Sequence, residues 1–453
     1  MQNKSAVMKE REGMALKLMG IDIGTTTISM ILMDEESKEI TAYETVSHDS
    51  FLAGELPEEK IQDPERIWRI TKEKMDSMIR ACGKPDGIGL TGQMHGMLYV
   101  DDRGNAVSPL YTWQDGSGNR PLKEGKSSAD ILAKKAGDSL AGYGLATHYC
   151  LQLEGRVPQN ARKMTTISDY IAMKLCGHPS PVIGADMAAS WGCFDLREKD
   201  FRYDALKQAG VDISYLPKVC RGHFTAGRTE EGIPVMAAIG DNQASFFGSV
   251  DSLYDTVLIN VGTGSQVSFA SREYVPCSGT VELRPFTEDG YILAGSPLCG
   301  GRAYAMLEQF YREVSGGGSY YDTMYEQAQD FIRQYGADAA WKVETVFSGT
   351  RSNPGKRGAI TGIGVENFHP GAMTVGVIRG ILEELYQQYA KMCELTGRKA
   401  KRLAGSGNGL RQNPLMQEMA QEMFGLKLEI PGYREEAARG AALCMADLLK
   451  KRA

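Results

Sequence analysis

Two stretches of the chain share one pattern, in which a strand ends in a turn of glycine and threonine and a second strand follows at once. The first passes from Leu16-Lys-Leu-Met-Gly-Ile-Asp22 through Gly24-Thr25-Thr26 to Ile28-Ser-Met-Ile-Leu-Met33. The second passes from Val257-Leu-Ile-Asn-Val261 into Gly262-Thr263-Gly264-Ser265. Because a short turn with glycine between apolar runs predicts a β-hairpin, both stretches should open antiparallel. An ancient duplication would leave such a repeat, which favours a fold of two similar α/β halves.

The two glycine–threonine turns also predict a site for phosphate. Each offers backbone N–H groups and hydroxyls without a bulky side chain, which suits an anion. Each follows a strand with a polar residue near its end, Asp22 in one case and Asn260 in the other. Asp22 is suited to a hydrated Mg²⁺, which takes few carboxylates. One such turn alone is also ordinary hairpin chemistry, whereas the pair predicts that two domains hold the phosphates of one nucleotide. Neither turn has the Gly-x-Gly-x-x-Gly pattern of a dinucleotide site.

A third feature is the segment Gly240-Asp241-Asn242, which follows the apolar run Pro234-Val-Met-Ala-Ala-Ile239. The run predicts a buried strand, and Gln243-Ala-Ser-Phe-Phe-Gly248 predicts the helix that follows. Asp241 should therefore lie at the carboxyl end of a strand, where ligands collect in open α/β sheets. The alternative for Asp241 is a helix N-cap. The two roles are compatible, since a capping carboxylate can still direct one oxygen at a ligand.

Two further segments present polar side chains beside glycine or tryptophan. Gln93, Met94 and His95 follow the predicted strand Gly87-Ile-Gly-Leu-Thr91 and indicate groups directed at a small ligand. Taken singly, His95 is more typical of a hydrogen-bonded structural histidine, and Met94 of a core residue. Trp113-Gln114-Asp115 offers an aromatic face for a sugar and a carboxylate for its hydroxyls. A buried tryptophan and a loop aspartate explain that segment equally well.

The overall composition favours a cytoplasmic protein of two domains. The chain has 453 residues, 42% of them hydrophobic, and a net charge of −6, which gives no electrostatic reason to expect nucleic acid or an anionic membrane as partner. Its nine cysteines are scattered and odd in number, which is typical of free thiols in a reducing compartment. The first residues lack the apolar segment of a signal peptide, and residues 1–16 are expected to form a loose leader.

In their order along the chain, these segments resemble the FGGY family of carbohydrate kinases. The resemblance extends over the chain from Lys17. It rests on six segments: Ile21-Asp22-Ile23-Gly24-Thr25-Thr26, Gly92-Gln93-Met94-His95-Gly96, Trp113-Gln114-Asp115, Gly240-Asp241-Asn242, Gly262-Thr263-Gly264 and Gly405-Ser406-Gly407-Asn408. It implies an α/β protein with the two-domain actin-like ATPase (ribonuclease H-like) fold, with mixed sheets, flanking helices and an interdomain cleft. Residues 17–246 would form the sugar-binding N-terminal domain, and residues 247–453 the nucleotide-binding C-terminal domain.

The same resemblance implies phosphorylation of a primary hydroxyl of a ketose by ATP. Asp241 would be the base, and Mg²⁺ would lie near Asp22. Gln93, Met94, His95, Trp113, Asp115 and Asn242 would contact the sugar together with Asp241. The turns at 24–26 and 262–264 would hold the phosphates, and Gly405, Ser406, Gly407 and Asn408 would lie against adenine and ribose. Taken alone, that last segment is also a plain strand–helix loop.

Shorter matches point to a branch of the family. Gln93-Met94-His95-Gly96 resembles xylulokinases and sedoheptulokinases, while Thr112-Trp-Gln-Asp-Gly116, Leu175-Cys-Gly177 and Ala188-Ala-Ser-Trp-Gly192 resemble the sedoheptulokinase branch more closely. Sedoheptulose is thus the expected substrate, and a pentulose such as xylulose is the alternative. An actin-like ATPase without sugar chemistry, or a sugar sensor, would not need Asp241 together with Gln93 and Trp113. The expected protein is a monomer or homodimer.

Two departures from the family pattern bear on nucleotide contact. Gly349-Thr350-Arg351 stands where Gly-Glu-Arg is common, and Ala404 stands where a further glycine usually precedes the adenosine turn. Both concern details of nucleotide binding and leave the expected reaction unchanged.

Overall fold

The computed structural model describes residues 16–122, 125–277, 279–350, 353, 355–433 and 435–451. The expected leader and Arg351 lie outside the described residues, apart from Leu16. The chain divides into two compact units. Unit 1 contains the described residues up to Gly248, the short segment Pro285–Asp289 and the residues from Tyr433 onward, whereas unit 2 contains Ser249–Arg284 and Gly290–Gly432. The predicted division at 246/247 concerns family domains and stays a prediction.

Strands occur throughout the described residues: β1 (Lys17–Ile23), β2 (Thr27–Asp34), β3 (Ile40–Ser47), β4 (Phe51–Leu52), β5 (Ile61–Gln62), β6 (Gly87–Gly92), β7 (Leu98–Val100), β8 (Leu110–Tyr111), β9 (Lys163–Thr165), β10 (Val182–Gly184), β11 (Phe194–Asp195), β12 (Asp200–Phe201), β13 (Lys218–Cys220), β14 (Thr225–Arg228), β15 (Pro234–Met236), β16 (Ile239–Gly240), β17 (Thr256–Val261), β18 (Ser265–Ser271), β19 (Val281–Pro285), β20 (Tyr291–Gly295), β21 (Lys342–Glu344), β22 (Ala359–Thr361), β23 (Arg402–Ser406) and β24 (Leu428–Glu429).

Helices alternate with these strands: α1 (Pro64–Cys82), α2 (Ser128–Lys135), α3 (Gly144–Leu153), α4 (Ile167–Cys176), α5 (Ala185–Ala189), α6 (Tyr203–Ala209), α7 (Asp241–Ser249), α8 (Gly301–Ser315), α9 (Tyr321–Tyr335), α10 (Pro370–Thr396), α11 (Asn408–Arg411), α12 (Pro414–Phe424) and α13 (Glu436–Lys450). Their ends follow local chemistry. Helix α1 begins after Asp63, whose carboxylate accepts the N–H groups of Glu65 and Arg66, as an N-cap should. Helix α4 ends at Gly177 with φ 64°, a left-handed conformation that favours glycine.

The main sheet of unit 1 has the strand order β14-β15-β6-β1-β2-β3, and the short strand β16 also pairs with β6. The pairs β1–β2 and β2–β3 are antiparallel, whereas β1–β6 and β6–β15 are parallel. The predicted antiparallel opening is therefore confirmed. A core of aliphatic side chains, including Ile21, Ile67 and Ile88, covers this sheet.

The sheet of unit 2 has the order β19-β20-β18-β17-β23-β24. Here β17–β18 and β18–β20 are antiparallel, and β17–β23 and β23–β24 are parallel. The strands β20-β18-β17-β23-β24 therefore repeat the pairing of β3-β2-β1-β6-β15 in unit 1. The second hairpin and the similarity of the two halves, predicted from the sequence, are both present.

Helix α13 packs against strands β1 and β6 of unit 1 at very short range. A Cβ atom built on Gly20 would lie 1.8 Å from the carbonyl oxygen of Ala438, and one built on Gly89 would lie 2.0 Å from that of Ala441. Only glycine permits this approach of two backbones, because any other residue would force them apart. The C-terminal helix thus completes the core that strand β1 begins.

One predicted element differs in form. The run Pro234–Ile239 was expected to be a single strand, but β15 ends at Met236 and β16 begins at Ile239. The break arises because Ala238 donates its N–H to the carboxylate of Asp169, at 3.1 Å, while Ala237 donates to the carbonyl of Phe224. A side-chain acceptor thus replaces a neighbouring strand at this point.

Two further sequence expectations concern cysteine and membranes. All nine cysteines are free thiols, as expected. Within the described ranges, every helix falls short of the length or the apolar content that crossing a bilayer requires.

Candidate functional site

The ends of three neighbouring strands bring the predicted residues of unit 1 together. In the parallel pairing of β1 with β6, Ile23 lies opposite Gly92, and in the pairing of β6 with β16, Gly92 lies opposite Gly240. The next residues along each strand are the turn at Gly24, Gln93 and Asp241. All three therefore emerge at one edge, the carboxyl edge of a partly parallel sheet, where ligands bind in such folds.

Asp241 is the first residue of helix α7. Its Oδ1 accepts the N–H of the adjacent Asn242 at 2.6 Å, and the interpretation of Asp241 as a helix N-cap stays a prediction. The preceding Gly240 donates its N–H to Oδ2 of the buried Asp186 at 2.8 Å. Together with the bond from Ala238 to Asp169, this contact fixes the backbone on the strand side of Asp241. Burial raises the pKa of Asp186 to about 6 and that of Asp169 to about 7.

Asp22, on β1, lies within electrostatic range of two other carboxylates. Its pKa rises to about 7, chiefly because the side chain is buried and then because Asp241 and Glu435 are negatively charged. Glu435 accepts a hydrogen bond from Thr45 at 2.8 Å. Since like charges disfavour ionisation of a neighbour, this edge of unit 1 concentrates negative potential that a cation would relieve.

The chemistry of these carboxylates fits Mg²⁺ better than a metal held by protein ligands alone. Among the described residues, no group of at least three His, Cys, Asp or Glu side chains is arranged to hold a metal ion. Mg²⁺ keeps several waters and commonly takes one or two carboxylates together with phosphate oxygens. Asp22 and Asp241 supply carboxylates of that kind, without the closed cage that a structural metal requires.

Gln93 is almost fully buried and is held at both ends. Its backbone N–H donates to the carbonyl of Ile23 at 2.9 Å, and its Nε2 donates to Oε1 of Gln62 at 3.0 Å. Its own Oε1 is buried without a hydrogen-bond partner. An unpaired buried acceptor costs roughly 1–3 kcal/mol, so this oxygen is a candidate acceptor for a ligand hydroxyl.

His95 adopts φ 72°, a left-handed conformation that is uncommon for residues other than glycine. Ser190 holds it there, because the His95 N–H donates to Oγ of Ser190 at 3.0 Å and Nδ1 lies 2.7 Å from the Ser190 carbonyl oxygen. Since a carbonyl only accepts, Nδ1 must carry a proton and donate it to Ser190. The ring stacks on Tyr143 with centroids 4.7 Å apart. Backbone strain of this kind clusters at functional sites.

Two further predicted sugar contacts, Met94 and Asn242, lie at the start of helix α7. Met94 is buried in the hydrophobic cluster of unit 1, as its core interpretation predicted. A Cβ atom on Gly240 would lie 2.7 Å from its Cε, so Met94 also packs against the segment that leads to Asp241. Oδ1 of Asn242 is buried without a hydrogen-bond partner, which makes it a second candidate acceptor beside Asp241.

Trp113 is 48% exposed, which excludes the interpretation of this residue as buried. Its Nε1–H donates to Oγ1 of Thr25 at 3.0 Å. The indole is therefore fixed by its polar edge, while an aromatic face stays accessible for the apolar face of a sugar. This bond joins the predicted sugar contact to the predicted phosphate turn within unit 1.

Asp115 differs from the other predicted sugar contacts. It is 1% exposed, and its carboxylate accepts the backbone N–H groups of Lys60 at 3.2 Å and Ser117 at 3.0 Å. Desolvation raises its pKa. These contacts favour the loop-anchoring interpretation, in which Asp115 supports the segment that presents Trp113.

In the turn of unit 1, all three carbonyl groups accept hydrogen bonds from the rest of that unit, whereas only the Gly24 N–H donates, to the carbonyl of Thr27 at 2.9 Å. The carbonyls of Gly24, Thr25 and Thr26 accept, respectively, from Nε2 of His48 at 3.1 Å, from Nε2 of Gln62 at 2.7 Å and from the His48 N–H at 2.9 Å. The described part of the chain provides no acceptor for the N–H groups of Thr25 and Thr26. Such exposed N–H groups form an anion-binding nest.

In the turn of unit 2, carbonyl groups are again bonded and two N–H groups again lack an acceptor among the described residues, but the bonding partners differ. The carbonyls of Gly262 and Thr263 accept from the backbone N–H groups of Gly301 at 2.8 Å and Arg302 at 3.0 Å, at the start of helix α8. Across the described ranges, the N–H groups of Thr263 and Gly264 again have no acceptor. A Cβ atom on Gly301 would lie 2.5 Å from the Gly262 carbonyl oxygen, so this packing requires glycine.

The predicted adenosine segment begins inside the sheet of unit 2. Ser406 ends β23, and its Oγ accepts from Nδ2 of Asn260 at 2.8 Å. Gly407 has φ 86°, and its Cβ would lie 2.5 Å from the carbonyl oxygen of Val261. Asn408 begins the short helix α11. Gly405 and Gly407 therefore lie against neighbouring elements, while Ala404 is a buried strand residue paired with Leu258.

Three residues of the site had no signal of their own in the sequence. Gln62, Tyr143 and Ser190 contact Thr25, Gln93 or His95, yet each is distant along the chain from at least one residue that it holds. Only the strand register and the packing of the helices bring them together. The match Ala188–Gly192 included Ser190, although not for this role.

Comparison with known proteins agrees with this geometry. Residues 17–248 match the N-terminal domain, and residues 257–446 the C-terminal domain, of the FGGY family of carbohydrate kinases. The chain is 27% identical to the sedoheptulokinases of Mus musculus and Homo sapiens, over 94% of this chain and 96% of each relative. It superposes on a xylulose kinase from Rhodospirillum rubrum with a TM-score of 0.80, at 20% identity, over 95% of this chain and 89% of that one.

Family models thus match nearly the whole described chain. Two α/β halves with mixed sheets, each opening on a glycine–threonine turn, form an actin-like ATPase fold. In unit 1, the strand register brings Gln93 and Asp241 to one edge of the sheet. The chain belongs to the FGGY family of carbohydrate kinases, and it is an ATP-dependent sugar kinase.

Proposed function

We propose that this kinase transfers the γ-phosphoryl group of ATP to a primary hydroxyl of a ketose, and that sedoheptulose is converted to sedoheptulose 7-phosphate. Two sedoheptulokinases are similar to the chain along nearly its whole length. The segments Thr112–Gly116 and Ala188–Gly192 resemble the same branch. In unit 1 they include Trp113, with its accessible ring face, and Ser190, which fixes His95.

Asp241 is proposed as the general base. In phosphoryl transfer, the protein contributes mainly positioning, charge stabilisation and a proton acceptor. The sugar hydroxyl oxygen bonds to the γ-phosphorus, the bond from that phosphorus to the bridging oxygen breaks, ADP leaves, and the hydroxyl proton passes to Asp241. The hydrogen bonds from Gly240 to Asp186 and from Ala238 to Asp169 hold the preceding backbone in place for this role.

The sugar is proposed to be oriented by acceptors and an aromatic surface. Oε1 of Gln93 and Oδ1 of Asn242 are buried acceptors without partners, and His95 is proposed to contact the sugar as well. Sugar hydroxyls are donors that satisfy such groups. Trp113 supplies the stacking surface, Met94 packs behind Gly240, and Asp115 supports the Trp113 loop.

Nucleotide binding is proposed to use N–H groups from each unit. The Thr25 and Thr26 N–H groups of unit 1, and those of Thr263 and Gly264 in unit 2, would donate to phosphate oxygens. The segment Gly405–Asn408 would contact adenosine. Asp22 would hold Mg²⁺ through water, with Asp241 nearby, and the ion would supply neutralisation of charge on the phosphate oxygens.

One observation supports the proposal most directly: the register of Ile23 with Gly92 and of Gly92 with Gly240, which brings the turn at Gly24, Gln93 and Asp241 to one sheet edge. The test is a coupled assay of ADP release over a panel of ketoses, analysed as kcat/KM. Sedoheptulose should give the highest value. Without ketose-stimulated ADP release, the proposal would be wrong.

Xylulose is the second candidate substrate. The segment Gly92-Gln93-Met94-His95-Gly96 resembles xylulokinases as well as sedoheptulokinases, and these sugars share the hydroxyketone end. When two substrates differ by one or two carbons, each methylene changes the selectivity of a pocket between them by only about 10–200-fold. The same panel therefore decides between them through the ratio of the two kcat/KM values.

A further inference from the structure

Gln62 is a fully buried amide that contacts two parts of the proposed site in unit 1. It lies on the short strand β5 and has no solvent exposure. Its Nε2 donates to the carbonyl of Thr25 at 2.7 Å, and its Oε1 accepts from Nε2 of Gln93 at 3.0 Å. A single side chain thus joins the phosphate turn to a sugar contact.

The Thr25 carbonyl determines the orientation of both amides. Because a backbone carbonyl only accepts hydrogen bonds, Gln62 must present its NH₂ group to Thr25 and its oxygen to Gln93. Gln93 must then present its own NH₂ group to Gln62, which leaves its Oε1 as the unpaired buried acceptor. Gln62 thereby makes Gln93 an acceptor for a ligand donor such as a sugar hydroxyl.

The side chain of Thr25 makes a further hydrogen bond to a proposed sugar contact. Oγ1 of Thr25 accepts from Nε1 of Trp113 at 3.0 Å. Two proposed sugar contacts, Gln93 and Trp113, are therefore hydrogen-bonded, through Gln62 or directly, to one residue of the phosphate turn. Buried polar networks are sensitive to the loss of one member, because the remaining groups are left unpaired.

We propose that Gln62 is a positioning residue that couples ketose binding to nucleotide binding. The inference rests on the proposed function, since it assigns the sugar to Gln93 and phosphate to the turn at Gly24–Thr26. A ketose hydroxyl that bonds to Oε1 of Gln93 fixes that amide and, through Gln62, the Thr25 carbonyl. Fixing the carbonyl orients the adjoining peptide N–H groups toward phosphate. Coupling must be reciprocal, so bound nucleotide must tighten ketose binding by the same factor.

The test is isothermal titration calorimetry of the full chain with the best ketose of the panel, with and without Mg²⁺ and a non-hydrolysable ATP analogue. The coupling factor is the ratio of the two ketose Kd values, and allosteric couplings typically give about 5–150-fold. In Gln62→Met, which loses both hydrogen bonds, the factor should fall to about 1. In Gln62→Glu, the new carboxylate still accepts from Gln93 but cannot donate to Thr25, so coupling should also be lost while ketose affinity without nucleotide stays close to wild type.

Gln388→Met is the matched control. Gln388 is a buried glutamine of unit 2 that is 8% exposed, and its replacement should leave the factor unchanged. Thermal melting of each variant reports folding, and Gln62→Glu serves if Gln62→Met does not fold. A wild-type factor of 1, or an unchanged factor in the Gln62 variants, would overturn the coupling even if ketose-stimulated ADP release is normal. Loss of that ADP release in the wild-type protein would instead reject the proposed function.

Discussion

The glycine–threonine turns of units 1 and 2 have the same backbone architecture but different chemical surroundings. Each joins antiparallel strands, and each has its carbonyls bonded inward and two N–H groups without an acceptor among the described residues. In unit 1, side chains of His48 and Gln62 bind those carbonyls. In unit 2, the backbone N–H groups at the start of helix α8 do so.

The residue two positions before each turn differs in charge. Asp22 in unit 1 is a carboxylate near Asp241 and Glu435. Asn260 in unit 2 is a neutral amide that donates to Ser406. The two halves thus share the backbone arrangement of the turn, while the proposed base and the proposed magnesium ligand both lie in unit 1. The same strand positions can therefore carry different parts of a reaction.

The largest expected effect is at Asp241, among the acidic residues of unit 1. Asp241→Asn should lower kcat by about 10²–10⁴-fold, because the proton acceptor is lost while the side-chain volume is kept. Ketose Kd, measured by calorimetry, should remain close to wild type. Near-normal kcat in a correctly folded variant would remove Asp241 from the role of base.

A negative charge just before the turn of unit 2 should remove the difference in charge between the surroundings of the two turns. Asn260→Asp should raise the KM for ATP about tenfold, since a carboxylate near phosphate at an effective dielectric constant of ~20 costs a few kcal/mol at most. Steady-state kinetics with varied ATP measures the change. Gln329→Glu, which adds the same charge on helix α9 of unit 2, is the control and should behave as wild type. Equal KM values for all three proteins would contradict a phosphate role for the second turn.

A steric change tests the backbone contact that is peculiar to unit 2. Gly301→Ala would place a methyl group against the Gly262 carbonyl oxygen, and overpacking of this kind costs roughly 1–3 kcal/mol. Weaker ATP binding, by several-fold, is expected without a change in ketose Kd. Gly432→Ala is the matched control, because nothing lies within 4 Å of its Cβ position. If the control weakens ATP binding equally, the contact at Gly301 is not the cause.

The smallest expected effect is a pH dependence of Mg²⁺ stabilisation. Because Asp22 has a folded pKa of about 7 against an ordinary 3.8, its ionisation destabilises unit 1 as pH rises between those values. Mg²⁺ should offset that cost, so its addition should raise Tm at about pH 8 by a few degrees and by less at about pH 5. Differential scanning calorimetry measures both shifts. In Asp22→Asn, the difference between the two pH values should disappear.

The sequence predicted the hairpins and the strand ends that Gln93 and Asp241 follow, because glycine, threonine and aspartate at strand ends have strong local signals. Local signals did not indicate the break between β15 and β16, because it depends on Asp169, a residue distant in the chain.

The missed parts of the site have the same physical origin. The sequence around Asp115 is compatible with a sugar contact and with a loop anchor. Only the hydrogen bonds that its carboxylate accepts from Lys60 and Ser117 favour the loop anchor. The protonation of His95 at Nδ1 depends on Ser190, and the orientation of Gln93 depends on Gln62. Side-chain contacts between distant segments follow from the register of strands, which the pattern of single residues does not specify.

The close contact of Gly20 and Gly89 with helix α13 has a consequence for biosynthesis. The ribosome produces strand β1 early, but the helix that covers it follows only after all of unit 2 has been translated. Closing so long a loop is entropically costly before its contacts form. The apolar face of unit 1 therefore stays incompletely covered during most of translation, which is the interval in which chaperones protect nascent chains from aggregation.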